Sequence, residues 1–382
     1  MIRSSLESKL YILPGPRPSH QAAARRQVTA LHSAGRPRSR KRWLAALAVL
    51  ILLALLAPRL RGYSFDWRRF LITFQQLDWR WVTISILMNL LVNFGRAVRW
   101  RAMLRPAAHS ASVWRLNSDT AIGFATVALL GRVGEVVRPY LIAADTGLAF
   151  SSQVAAWLLE RILDLLAVLV MFGFALIRIP ARAPHLSPEI QHGLEAGGFV
   201  FAAVALVCVA VLAVFRNFPS LAQARILSAL TFLGEEDVQR VERVLRAFSE
   251  GLECTRDTRT LATLLACTTL LWAIIIGSFF ALLRAFPATA HFGLTDVVVL
   301  LGFMAFGGLL QIPGVGGGIQ VASIVAFTGI YGMRLEAASS IAILLWAIPS
   351  IVIVAYGLGC AFHVGLNWSK LKLLSTKQIL DG

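Results

Sequence analysis

The stretch Gly131-Arg132-Val133-Gly134-Glu135-Val136-Val137-Arg138-Pro139 constrains the fold more than any other part of this chain. It lies inside an otherwise apolar run from Ala121 to Ala143. A charged side chain at bilayer depth costs roughly 2.5–3.5 kcal/mol on insertion scales. Such residues belong where they face protein, a wet cavity or a charged ligand. Glycine and proline loosen the backbone at the same place, and the freed groups must be buried in protein or water. The pattern predicts a broken intramembrane helix with charges beside it.

Apolar content sets the class. Hydrophobic residues make up 57% of the 382 and charged residues 15%, more apolar surface than a soluble core of this length hides. Several runs approach the roughly 20 residues needed to cross a bilayer. An all-α polytopic membrane protein is expected. The net charge of +17 is explained by arginine in the N-terminal tail and short loops, where the positive-inside rule places it. No interleaved basic and aromatic platform points to nucleic acid as a partner. Cys208, Cys254, Cys267 and Cys360 are scattered without disulfide or metal-like spacing, and the histidines are dispersed. Neither a metal nor a cofactor is expected.

Residues 1–42 hold ten Lys or Arg and one acid, Glu7, with four prolines. That composition predicts a disordered basic tail, either anchored to anionic lipid or without a role. Trp43–Ala57 reads as a retained first span. A signal peptide is the competing reading, but its basic region is too long and Pro58-Arg59 replaces a cleavage site. Further spans are expected near Trp79–Phe94, Val154–Ile177, Leu194–Phe215, Leu261–Leu283 and Ala337–Phe362. Two interrupted segments, Asp119–Ala143 and Thr295–Tyr331, complete a domain over 43–365, and residues 366–382 form a C-terminal tail. The expected architecture is about six full transmembrane helices plus two broken or re-entrant hairpins.

Placing both termini in the cytosol puts Gly95–Arg115, with five arginines, and Arg216–Thr260, with seven, on the cytosolic side of the plasma (inner) membrane. Pro58–Arg80, with five arginines against two aspartates, disagrees. Under this topology the hairpins enter from opposite faces. Paired, Gly/Pro-interrupted segments in two halves suggest an inverted repeat and a transporter's binding site. Within 216–260, Val238, Val241, Val244, Leu245, Phe248 and Leu252 recur at helical spacing among charged residues, which predicts an amphipathic interfacial helix.

Four elements are candidates for function. In Gly95–Arg101, the arginines serve topology or form a phosphate-holding patch, since guanidinium forks match phosphate oxygens. In the broken segment, Glu135 and Arg138 stand three apart and pair if helical. That leaves Arg132 beside the N–H groups of Gly131 and Gly134, a setting for an anionic headgroup or for structural pairing. Glu160 and Asp164 share one helix face, about two turns into a span. They would take the cations of the broken segment, carry protons or bind a cationic headgroup. Pro313-Gly314-Val315-Gly316-Gly317-Gly318 lacks the Lys-Ser/Thr of a P-loop. It reads as a tight membrane turn whose amides face a cavity, flanked by Gln311 and Gln320.

These pieces, in order and spacing, carry a resemblance. Arg96-Ala-Val-Arg99-Trp100, the Gly131–Pro139 run, Glu160-Arg161-Ile-Leu-Asp164 and Pro313-Gly314-Val-Gly316-Gly317 are similar to motifs of the lysylphosphatidylglycerol synthase transmembrane-region, or flippase-like, family. The resemblance covers about residues 43–365. It implies an integral membrane protein that moves a phospholipid or polyprenyl-linked group between leaflets. The chain ends soon after the last span, so the soluble aminoacyl-transferase domain of two-part relatives, and with it lysyl transfer, is not expected. The expected mechanism holds a headgroup between the two broken segments. Arg132 and Arg138 meet the phosphate, Arg99 lies near the cavity mouth, and Glu160 and Asp164 balance the charge. Membrane lipids are the expected partners. Rival readings are a small-anion transporter, a scaffold for a glycosyltransferase or other lipid-modifying enzyme, and an intramembrane enzyme using Glu160 and Asp164 as acid and base.

Overall fold

The computed structural model describes residues 65–104, 111–180, 187–229, 257–308, 311–312 and 316–365, with parts of 237–249; of Arg132, Val133, Gln311, Ile312 and Gly316 it describes the backbone alone. The expected tail 1–42, the first span Trp43–Ala57 and the tail 366–382 lie outside the described residues. From Asp66 onward the chain belongs to one compact unit. A short helix, α1 (Trp67–Gln75), precedes α2 (Trp79–Leu104). The chain doubles back through α3 (Val113–Leu130) and α4 (Val137–Thr146), then runs through α5 (Phe150–Arg178), α6 (Pro188–Asn217) and the short α7 (Pro219–Ala229). It resumes with α8 (Thr258–Arg284). A second folded-back pair, α9 (Leu294–Gly307) and α10 (Gly318–Gly329), leads to α11 (Leu335–Val364).

Length and surface chemistry make this an integral membrane protein. Helix α2, with 26 residues, is about 39 Å long at 1.5 Å per residue, beyond the roughly 30 Å of a hydrocarbon core. Helices α2, α6, α8 and α11 are long and apolar enough to cross a membrane. Helix α5 is as long, at 29 residues, but carries Glu160, Arg161 and Asp164. The outward faces are apolar: Phe199, Leu206 and Val207 on α6 and Leu270 on α8 are each more than half exposed. Continuous apolar surface of this kind needs lipid as its solvent.

Both interrupted segments are hairpins. After Leu130 the chain turns at Gly131, whose φ of 72° is open to glycine without a Cβ penalty. A 3₁₀ turn, Gly131–Val136, then carries it into α4. The limbs lie backbone to backbone. A Cβ on Gly134 would meet the Thr126 and Val127 main chain, and one on Gly123 would meet Arg138. In the second hairpin, Gln311 pairs with Gly317 and Ile312 with Gly316, a two-residue antiparallel bridge below the apex. A Cβ on Gly307 would strike the Gly318 carbonyl, so this hairpin too closes on small residues.

The two halves share one plan: a long helix, a hairpin, a long helix. Counterparts begin at near-constant separation along the chain: Trp79 and Thr258, Val113 and Leu294, Phe150 and Leu335. Helices α2 and α8 pack antiparallel, joined by Ser85–Ser278 at 3.1 Å near one end and Arg99–Thr268 at 3.4 Å near the other. Each hairpin packs on the long helix that follows the other: α3 on α11, and α9 on α5. Gly357 of α11 receives the Ala121 carbonyl, and Gly302 of α9 receives Phe172 of α5. This reciprocal packing, with counterpart helices opposed in direction, is the arrangement of an inverted repeat.

One boundary differs from the sequence reading. The span expected at Trp79–Phe94 continues to Leu104, so Arg96, Arg99 and Trp100 stand on a transmembrane helix and not in a cytosolic loop. The apolar pattern ends at Gly95, but Arg99 finds buried carboxylates that let the helix go on. The amphipathic 238–252 segment lies partly outside the described residues. Its described part includes an Arg246–Glu242 pair at 3.0 Å and a bond from Gln223 of α7 to Ser249 at 2.8 Å.

Candidate functional site

Three elements of the first half bring their charges to one place. Helix α5 presents Glu160 and Asp164 one turn apart on the same face. Helix α2 presents Arg96 and Arg99, again one turn apart. Arg138 stands in the first turn of α4, set there by the break at Gly131 and by the close approach of Gly123 to its Cβ. Arg99 is fully buried and grips Asp164 with both ends of its fork, Nη1 to Oδ1 at 2.7 Å and Nη2 to Oδ2 at 3.1 Å. Its Nη2 also lies 3.0 Å from Glu160 Oε1. Arg138 donates to that same oxygen at 3.0 Å, and Arg161 at 2.8 Å. One buried carboxylate oxygen therefore serves three guanidiniums.

The charges do not balance. Arg96, Arg99, Arg138 and Arg161 surround the two carboxylates Glu160 and Asp164, so within this cluster cations outnumber acids, although Asp119 also faces Arg138. Aromatic faces take part of that excess. Arg138 lies 4.1 Å from the Trp100 ring and 5.3 Å from Phe124. Arg96 lies 4.1 Å from the same Phe124. Such contacts are worth about 0.5–2 kcal/mol each, less than a desolvated ion pair. Trp100 is itself held by a bond from its indole N–H to Gln153 at 3.1 Å, both fully buried. Nε and Nη2 of Arg138 and Nε of Arg96 are buried without a hydrogen-bond partner.

Arg96 makes no ion pair among the described residues. It lines a cavity of about 230 Å³ with Asn89, Asn93, Phe124, Ser278 and Ser350, contributed by α2, α3, α8 and α11. Both halves of the repeat thus meet, beside Pro349 of α11, at a chamber whose wall is mostly apolar (Val92, Ile275, Phe279 and Ile353) and carries these few polar side chains. A chain of amides continues from it: Asn93 donates to Asn117 at 2.7 Å, and Asn117 to the Tyr356 hydroxyl at 2.6 Å.

The chain belongs to the lysylphosphatidylglycerol synthase TM region family. The family's sequence profile matches residues 43–357, which spans the arginine cluster and both hairpins. No curated protein and no solved structure matches the chain. Family membership and the apolar helices together make it an integral membrane protein of a lipid-associated family.

The structure gathers some predicted residues and separates others. Arg99, Arg138, Glu160 and Asp164 form the cluster. Arg99, expected near a cavity mouth, is instead at its closed centre, because two carboxylates draw it inward. Arg138 pairs with Glu160 of α5 and not with Glu135. Glu135 lines a small cavity of about 50 Å³ with Arg138, Trp157 and Arg161. Gly134 is buried where two backbones touch. The side chains of Arg132 and Gln311 lie outside the described residues, as do Pro313 and Gly314. Gly316 and Gly317 form the neck of the second hairpin, and Gln320 accepts from the Gly317 N–H at 2.6 Å. The expected chamber between the two broken segments is instead lined by α2, α3, α8 and α11, since each hairpin packs on the other half's long helix. The sequence offered Arg96 only as one arginine of a possible phosphate-holding patch, and Asn89, Asn93 and Ser278 were not among its candidates. The signal for Asn89, Asn93 and Arg96 was polar residues at helical spacing through an otherwise apolar span.

Proposed function

We propose that this protein moves a phosphate-bearing lipid, or a lipid-linked group, between the leaflets of its membrane, without covalent change to the lipid. The observation that carries the reading is Arg96, an arginine without a carboxylate partner among the described residues, beside a chamber with polar side chains where both halves of the repeat meet. A guanidinium left unpaired at this depth is costly to keep, and an anionic headgroup is the counter-charge that offsets the cost. Arg138 adds two unpartnered N–H groups on the other side of the shared contact with Phe124. Asn89, Asn93 and Ser278 offer hydrogen bonds to phosphate or hydroxyl oxygens. Arg99, Glu160 and Asp164 hold the scaffold in register, and the further guanidiniums of Arg96, Arg138 and Arg161 around them favour an anion nearby. The acyl or prenyl tails stay in the bilayer while the headgroup crosses, and the hairpins gate the two faces.

The test is leaflet exchange of a headgroup-labelled anionic phospholipid in liposomes holding the purified protein. Wild type should accelerate exchange, and Arg96→Gln should reduce it at least tenfold while remaining folded. Equal exchange by the two proteins removes Arg96 from the mechanism. Flux of a small soluble anion through liposomes without lipid exchange would replace this reading with the solute-transporter one.

A further inference from the structure

A second cavity stands apart from the arginine cluster, at the open base of the first hairpin. It measures about 410 Å³ and is lined by Ser112, Arg115, Asp119, Asp145 and Thr146. It joins the two limbs of the hairpin: Ser112, Arg115 and Asp119 belong to the start of α3, Asp145 and Thr146 to the end of α4. Asp145 and Arg115 are exposed, whereas Asp119 is 6% exposed. Asp119 therefore forms the floor of the cavity and Asp145 stands at its mouth.

Asp119 has no adequate partner among the described residues. Its Oδ2 is buried without a hydrogen bond, and it makes no ion pair among the described residues. The charges that face it are Asp145, Arg138 and Arg115. Arg138 bonds Glu160 through Nη1, Arg115 is exposed, and neither pairs with Asp119. A buried carboxylate in this setting is stabilised only by a bound cation or by a proton.

We propose that Asp119 and Asp145 form a binding site for a small monovalent cation, Na⁺ or a proton, reached from the aqueous face at the base of the first hairpin. Asp119 is the deep ligand and Asp145 the outer one. The side-chain oxygens of Ser112 and Thr146 and water in the cavity complete the oxygen shell of a metal ion. Occupancy ties α3 to α4, so the site bears on the closure of the hairpin that also positions Arg138.

The experiment uses the purified full chain in detergent with no lipid substrate, so its outcome is separate from that of lipid exchange. Unfolding temperature is followed while NaCl replaces choline chloride at constant ionic strength. Sodium-specific stabilisation in wild type, absent in Asp119→Asn and shifted several-fold to higher concentration in Asp145→Asn, supports the site with Na⁺ as occupant. No sodium effect, but a protonated-carboxyl infrared band that disappears as pH rises and is missing in Asp119→Asn, supports the site with a proton. If Asp119→Asn does not elute as a monodisperse species, Asp145→Asn alone decides: an unchanged sodium response and an unchanged carboxyl band overturn the proposal. Absence of both signals from wild type overturns it as well.

Discussion

Arg96 and Arg99 stand one turn apart on the same helix and should respond oppositely to the same substitution. Arg99→Gln removes a fully buried guanidinium that grips Asp164 at 2.7 and 3.1 Å and touches Glu160 at 3.0 Å. Breaking a buried pair from one side costs about 3–5 kcal/mol. The lower end applies, because Glu160 keeps Arg138 and Arg161, and Asp164 keeps Arg161 at 3.3 Å. A loss of about 3 kcal/mol lowers the folded-to-unfolded ratio roughly a hundredfold. Arg96→Gln removes a cation with no carboxylate partner among the described residues, beside a cluster where cations outnumber acids. It forfeits one aromatic contact, about 0.5–2 kcal/mol, and the attraction of Asp164 and Glu160, and in return sheds the cost of burying the cation and its repulsion from Arg161 and Arg138. Its net effect on stability should stay within about 1 kcal/mol, while lipid exchange falls. The assay is equilibrium unfolding in mixed micelles, with reversibility checked by refolding, run beside the liposome exchange measurement. Equal destabilisation by the two substitutions would refute the distinction and make Arg96 one more structural charge.

Gly134→Ala drives a methyl group into the Thr126–Val127 main chain and should cost about 1–3 kcal/mol as overpacking; an unfolding curve matching wild type would show that the hairpin limbs have room to part. Ser151 and His291 are exposed at the base of the first and second hairpins. Single cysteines there, in a background lacking the native four, should label from opposite sides of the membrane, and labelling from one side alone would contradict the inverted arrangement.

The helical membrane class was legible because hydropathy is a local property: Trp79, Thr258 and Leu335 each open a segment whose length and apolarity alone predict a span. The breaks were legible for the same reason, since Gly131 and the Pro313-Gly314 turn interrupt runs that would otherwise continue. Glu160 and Asp164 announced a shared face through their spacing. The partner of each charge was not legible. Nothing local to Arg138 favours Glu160 over Glu135, which is closer in sequence.

The amino-acid sequence by itself determined that this chain lives in a bilayer, that two of its apolar segments are broken, and that intramembrane charges need protein or ligand around them. Tertiary structure decided which charges cancel. A 3₁₀ turn swung Arg138 toward α5, helix α2 ran on far enough to bury Arg99 against two carboxylates, and Arg96, one turn earlier, was left facing a chamber shared by both halves. Burial energy depends on distances between segments far apart in the chain, and only the packing of one half against the other sets those distances.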